Sequence, residues 1–383
     1  MKKLTIRLKD DFHKDLLDLV AFKNDSINSY VINLIKNDLS KNTNLLRSYD
    51  NMIRDNITNV LITQKINELK AIQDGIFKEY KVNDILSNSK IYEVMTANSL
   101  NHILIPGHSG SRDAKDEFGN EFEYKHFKKS SSNHSWTFND FSDTSIAKLK
   151  KAKAVIFAHI NDVDFPYPGK LDWYYSIPGD IMCEYLLKYT QSIQNSRKMI
   201  NVSPNQLESR LNASKIIPSA QNGVYDKYLS AIYKASSELE ELTGVKNLLT
   251  SNKFWELIVA LELNHQVNPE QGGREGAHDA YDSEGNPYEY KVSKNHAWNF
   301  QDISDNVLNK YYNDKAIILA VVDKENIEVE HIYSTEPADV VPLLRKKLQE
   351  KINRCLEKGS PIRRLQVSLS KSDLTRVNAK KLY

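Results

Sequence analysis

Hydrophobic and polar residues follow different rhythms along this chain, and each rhythm predicts a different element. Leu4, Ile6 and Leu8 alternate with Lys3, Thr5 and Arg7, the period of two expected of a short strand. Phe12, Leu16, Leu19 and Val20 then recur at helical spacing behind Asp10 or Asp11, and Ile27, Val31, Leu34, Ile35 and Leu39 do so behind a capping Ser26. Long, polar-rich, proline-free stretches predict helices over Asn67–Tyr80 and Tyr225–Leu242. The apolar runs Val155–Ala158 and Ile317–Val322 read as buried central strands. Gly119-Asn120 and Gly285-Asn286 are hairpin-turn signals between extended segments.

These elements repeat. Val82–Glu93 (VNDILSNSKIYE) matches Val245–Glu256 (VKNLLTSNKFWE), and Leu100-Asn101-His102 matches Leu263-Asn264-His265. Asp113 with Glu123-Tyr124-Lys125 returns as Asp279 with Glu289-Tyr290-Lys291, and nine residues separate Asp from Glu in both. His134-x-Trp136-x-Phe138-x-Asp140 returns as His296-x-Trp298-x-Phe300-x-Asp302. Such spacing describes two tandem copies of one domain, expected over 60–217 and 225–383 and joined near Ser219–Gly223. A pseudo-two-fold pair within one chain is the physical expectation.

Composition narrows the class. With 383 residues, 40% hydrophobic and 27% charged, the chain has the make-up of a folded, multi-domain protein. No apolar run approaches the length needed to span a bilayer. Arg7, Lys9, Asp10 and Asp11 interrupt any leader-like segment, so the expected compartment is the cytoplasm and no membrane is expected as a partner. Two distant cysteines, Cys183 and Cys355, support neither a disulfide framework nor a thiolate zinc site. The net charge is only +2, but basic residues outnumber acidic ones heavily between Arg345 and Lys381. That excess suits a phosphate backbone, and equally a solvated helix.

The chemistry concentrates in the duplicated Asp…Glu-x-Lys. On a strand, Glu123 and Lys125 share one face and Tyr124 takes the other, so the expectation is Tyr packed inward and the charged pair facing out beside Asp113. Two carboxylates at a sheet edge suit Mg²⁺, a hard cation that keeps waters and accepts phosphate oxygens. A nearby ammonium can stabilise charge on the phosphate. In this arrangement the sequence resembles the PD-(D/E)xK nucleases, the superfamily of most Type II restriction endonucleases, over both halves. Arg112 and His278 stand where the family's Pro would be.

The resemblance implies an α/β (α+β) fold of two tandem restriction-endonuclease-like domains. It implies catalytic residues Asp113, Glu123 and Lys125 in one half and Asp279, Glu289 and Lys291 in the other. Metal would be held by Asp113, Glu123, Asp279 and Glu289, with the helix residues Glu93 and Glu256 as further candidates. A solvated helix Glu is the competing reading for those two. His134 and His296 are candidate DNA contacts, and His102 and His265 structural hydrogen-bonders or phosphate contacts. Trp136, Trp298, Phe138 and Phe300 read as core aromatics.

Residues 1–45 resemble the ribbon-helix-helix family, whose paired strands enter the major groove. By that resemblance Lys3, Thr5 and Arg7 face bases, Ser26 meets phosphate at a helix N-terminus, and the chain forms a homodimer. A dimerisation device that touches no DNA is the alternative. The expected function is a Mg²⁺-dependent, sequence-specific double-stranded DNA endonuclease of the restriction type, with a companion DNA methyltransferase. A homing or phage-type endonuclease, a DNA-binding regulator with inactive nuclease folds, and an RNA-directed nuclease remain alternatives.

Overall fold

The computed structural model describes residues 46–86, 90–106, 112–165, 169–193, 198–219, 223–246, 248–269, 278–357, 359 and 365–383. Lys3, Thr5, Arg7 and Ser26, the 1–45 element and the dimer expected through it lie outside the described residues, as does most of the linker at 220–222. The chain divides into two compact units, Met1–Gln64 and Lys65–Tyr383. The second holds both repeated halves.

The architecture is mixed α and β. Helix α1 (Leu46–Tyr80) precedes α2 (Lys90–Leu100). Then come β1 (Ile103–Leu104), β2 (Ala114–Lys115), β3 (Glu121–Lys128), β4 (Trp136–Phe141), α3 (Asp143–Lys148), β5 (Ala154–Asn161), β6 (Lys170–Pro178), α4 (Gly179–Tyr189), β7 (Lys198–Val202) and α5 (Pro204–Leu211). The second half repeats the order with α6 (Asp226–Thr243), α7 (Lys253–Leu263), β8 (Gln266–Val267), β9 (Ala280–Tyr281), β10 (Pro287–Ser293), β11 (Ala297–Phe300), α8 (Asp305–Lys310), β12 (Ala316–Asp323), β13 (Glu328–Thr335), α9 (Pro337–Glu357), β14 (Val367–Ser370) and β15 (Lys380–Lys381). One mixed sheet runs β1-β2-β3-β5-β6 and the other β15-β13-β12-β10-β9-β8. The pairings β3 with β5 and β10 with β12 are parallel; the rest are antiparallel. Antiparallel ribbons β4-β7 and β11-β14 stand beside the sheets.

Local chemistry explains why the repeated residues recur. Asn101 and Asn264 sit in the left-handed region (φ 55° for both), which Asn tolerates and which ends a helix. His102 and His265 then send their N–H back to Ala97 O and Ala260 O, each at 2.8 Å. In the hairpins, Gly119 and Gly285 take φ +80° while Asp116 and Asp282 accept the N–H of Asn120 and Asn286. Both predicted turns therefore form, with an Asp as the organising acceptor.

Strands β5 and β12 are buried almost throughout, as the apolar runs predicted. One face of each carries the main core: Val155 and Phe157 pack with Trp136, Phe138 and Met182, and Ile317 and Leu319 with Trp298, Phe300 and Val340. Trp136 and Trp298 donate their indole N–H to Ala158 O and Ala320 O at 2.8 Å, which satisfies the polar group that burying an indole would strand. They are core aromatics, as read.

The halves of the second unit are in contact. Tyr225 accepts the Leu104 N–H at 2.9 Å and donates its own N–H to Asn98 Oδ1 at 2.9 Å. Gln73 reaches Lys324 O at 3.2 Å, and Lys65 pairs with Glu238. A Cβ at Gly223 would lie 2.0 Å from Asn98 O, so only glycine lets the chain pass there. Among the described residues, no helix is long and apolar enough to cross a membrane.

Candidate active sites

Each half assembles its Asp, Glu and Lys where the hairpin meets the parallel strand. In the first, the Asp113 N–H donates to Phe122 O at 2.7 Å and Asp113 Oδ2 accepts the Tyr124 N–H at 2.6 Å. In the second, Asp279 does the same with Tyr288 O at 3.0 Å and the Tyr290 N–H at 2.9 Å. The carboxylate is thus fastened to the strand that carries Glu and Lys. Lys125 donates to Glu123 Oε1 and to Tyr124 O, and Lys291 to Glu289 Oε1. On the opposite face the Tyr124 and Tyr290 hydroxyls are hydrogen-bonded to His102 Nδ1 and His265 Nδ1, both at 2.7 Å. In both halves this histidine thus makes a hydrogen bond that holds the strand's tyrosine.

The outward-facing charged pair that the alternation predicts is not what forms. Glu123 and Lys125 do not face water. Their strand is internal, between β2 and β5, and Glu123 and Lys125 register beside Val155 and Phe157 on the core face. Glu123 is only 4% exposed. Lys125 Nζ lies 5.2 Å from the Phe138 ring centre and 5.7 Å from Phe141, and Lys291 Nζ 5.6 Å from Phe300 and 5.9 Å from Tyr311. Aromatic faces attract the ammonium where water is scarce. Period-two alternation could not reveal this, because it does not say which face is covered.

The protonation pattern follows from that burial. Burial, then the nearby Asp113, pushes the Glu93 carboxyl up to about 7. Burial, then Asp279, does the same to Glu256. Glu289 is raised to about 7 by burial, against the pull of Lys291, and Glu123 is raised by burial against Lys125. Burial works to lower the Lys125 pKa, but Glu123 and Asp113 hold it above the ordinary lysine value. Glu93 and Glu256 are therefore not solvated helix residues; each shares its half's acidic cluster.

Two further lysines, which the Asp…Glu-x-Lys spacing does not point to, join the carboxylates. Lys90 Nζ lies 2.6 Å from Glu93 Oε2, and Lys253 Nζ lies 2.7 Å from Glu256 Oε2 and 2.8 Å from Asp279 Oδ1. Their signal was the repeated Lys-x-x-Glu of KIYE and KFWE, which places both groups on one helix face.

His134 and His296 sit instead at the starts of β4 and β11. His134 packs edge-on to Phe127, while His296 packs against Trp298 and comes 3.3 Å from the Tyr333 hydroxyl. Part of the basic excess near the C-terminus has partners within the chain: Arg345 with Asp305 and Asn309, Lys347 with Asp373, and Lys351 with Gln366 O.

Among the described residues, no three His, Cys, Asp or Glu side chains converge closely enough to hold an ion as they stand. The donor set at each Asp-Glu pair is nevertheless all oxygen, and Glu123 Oε2 is buried without a hydrogen-bond partner. An orphaned buried carboxylate oxygen is costly, and a hard divalent cation is the ligand it suits. Neither a protein-family model nor a curated protein matches the chain.

Proposed function

We propose that the chain is a Mg²⁺-dependent double-stranded DNA endonuclease of the PD-(D/E)xK type, a Type II restriction enzyme with two active sites, each hydrolysing one strand. The observation that carries this reading is the duplicated constellation: Asp fastened to the Tyr N–H, Glu paired to Lys, and a partly buried helix Glu beside them, in both halves. A buried carboxylate–ammonium pair seldom adds stability over an apolar pair. Two halves that bury one at the same strand position favour a chemical use for it.

Asp113 with Glu123, and Asp279 with Glu289, would hold Mg²⁺, with Glu93 and Glu256 completing the acidic wall. When bound, the cation polarises a phosphoryl oxygen and acidifies a water. Lys125 and Lys291 remain protonated at neutral pH and supply the positive charge that answers the build-up on the phosphate. The aromatic rings and the covered strand face exclude bulk water from the ammonium and strengthen that interaction. Two such sites in one chain match the two antiparallel strands of a duplex.

The reading also expects a homodimer through residues 1–45, a companion methyltransferase and a cytoplasmic setting. A homing or phage-type enzyme would share the chemistry and differ in target length. Incubation with plasmid DNA in Mg²⁺ or EDTA tests the proposal. Discrete Mg²⁺-dependent fragments are expected, with nicked circles from Lys125→Ala. A gel shift without cleavage would mark a DNA-binding regulator instead.

A further inference from the structure

We infer that the helix lysines, Lys253 above all, are tethered counter-ions that occupy the acidic cluster before the divalent cation does and must be displaced for it to bind. The inference rests on the metal reading of the same site. Lys253 Nζ lies between two carboxylates from different elements, 2.7 Å from Glu256 on its own helix and 2.8 Å from Asp279 ahead of β9. Its side chain is 11% exposed, and those of Glu256 and Asp279 are 12% and 16% exposed. An ammonium there neutralises charge that burial would otherwise leave exposed to mutual repulsion.

The same carboxylates are those a divalent cation needs. One positive charge holding them excludes another, because like charges a few ångströms apart in such surroundings repel strongly. Lys291 cannot take this role, since it is engaged by Glu289 on the strand. Lys253 comes from the helix, on a flexible stem that can swing out. The first half has only part of the device: Lys90 pairs with Glu93 at 2.6 Å, and among the described residues it makes no ion pair with Asp113. The two halves should therefore load metal unequally, the first more readily.

Calorimetric titration of Mn²⁺ into the full-length, DNA-free protein tests this without reference to cleavage. An Asp113→Asn background isolates the second half, because Asn still accepts the Tyr124 N–H but gives up the charge. In that background Lys253→Met should bind Mn²⁺ at least about tenfold more tightly than Lys253, since one competing charge is gone. Lys253→Arg should bind as Lys253 does, and Asp279→Asn should abolish binding. Unchanged or weaker binding by Lys253→Met, with Asp279→Asn still abolishing it, would overturn the counter-ion role and leave the metal reading intact. No binding in any variant, the unmutated protein included, would sink the metal reading and this inference with it. Should Lys253→Met fail to fold, Lys90→Met in an Asp279→Asn background asks the same question of the first half. A smaller tightening is expected there, and none would count against the inference.

Discussion

The two sites share a framework and differ in how each acid is held. In the first half Arg112 precedes the Asp and pairs with Glu121. In the second His278 takes that place and lies 2.6 Å from Asp314, a buried carboxylate whose pKa burial raises. Asp279 also meets Lys253. The lysine cage is Phe138 and Phe141 in one half, Phe300 and Tyr311 in the other. What stays constant is the Asp-to-Tyr N–H bond, the Glu–Lys pair, the His–Tyr pair and the indole-to-carbonyl bond. Divergence has been free around the carboxylates and restricted at the bonds that set their geometry.

If both halves perform the same chemistry, the largest effects come from disabling them one at a time. Lys125→Ala and Lys291→Ala should each slow breakage of one strand by on the order of 10²–10³-fold, the loss seen when a charge-stabilising donor is removed. Each variant should then accumulate nicked circles, and the double variant neither nicked nor linear product. Sequencing the nicks from the two single variants would assign each half to a strand. Nicks on the same strand from both would break the symmetry of the comparison.

Core substitutions come next. Trp136→Ala and Trp298→Ala each delete a fully buried indole, a change that costs about 3–5 kcal/mol in a packed core. Residues 65–383 form one compact unit, so either change should shift a single thermal transition. Two transitions, with each variant lowering only its own, would mean that the halves fold independently.

Much of this was legible in the residues. The repeat announced two copies of one element order, the Asp…Glu-x-Lys spacing located both acidic clusters, and the glycine-asparagine turns fell where the backbone turns. Burial was not legible. Glu123 and Lys125 sit on the covered face because the ribbon β4-β7 and its aromatics pack over it, and that is a tertiary fact. Lys90 and Lys253 were visible only as letters within the repeat. Nothing local says that a lysine one helical turn before a Glu will reach an Asp on another element.

A smaller effect concerns pH. Glu93, Glu256 and Glu289 have pKa values raised from 4.5 to about 7 by burial. At these three groups the folded state binds more protons than the unfolded chain between those values, so their contribution to stability falls as pH rises through that window. Burial lowers the pKa of His102, His126, His159 and His265, whose contribution rises over an overlapping range, so a difference between variants is the quantity to read. In EDTA the melting temperature of Glu256→Gln relative to the unmutated protein should climb from about pH 4.5 to about pH 7 and then level off, and Glu93→Gln should behave alike if the two halves are equivalent. A difference that stays flat across the window would refute the burial assigned to these carboxylates.

The smallest effect bears on the difference at the position before each Asp. Arg112 and Glu121 are about one-third exposed, so their attraction is shared with water and is worth under about 1 kcal/mol. Arg112→Ala should hardly move the melting temperature. His278→Ala should move it further, because it strips a buried Asp314 of the partner that offsets its burial. Pairing His278→Ala with Asp314→Ala should recover much of that loss, since the orphaned carboxylate goes too. If Arg112→Ala proved the more damaging of the two single changes, the first half would depend on its arginine for more than an exposed ion pair, and, on the proposed nuclease reading, a contact with a DNA phosphate beside Asp113 would be the arrangement to test next by the salt dependence of any DNA binding.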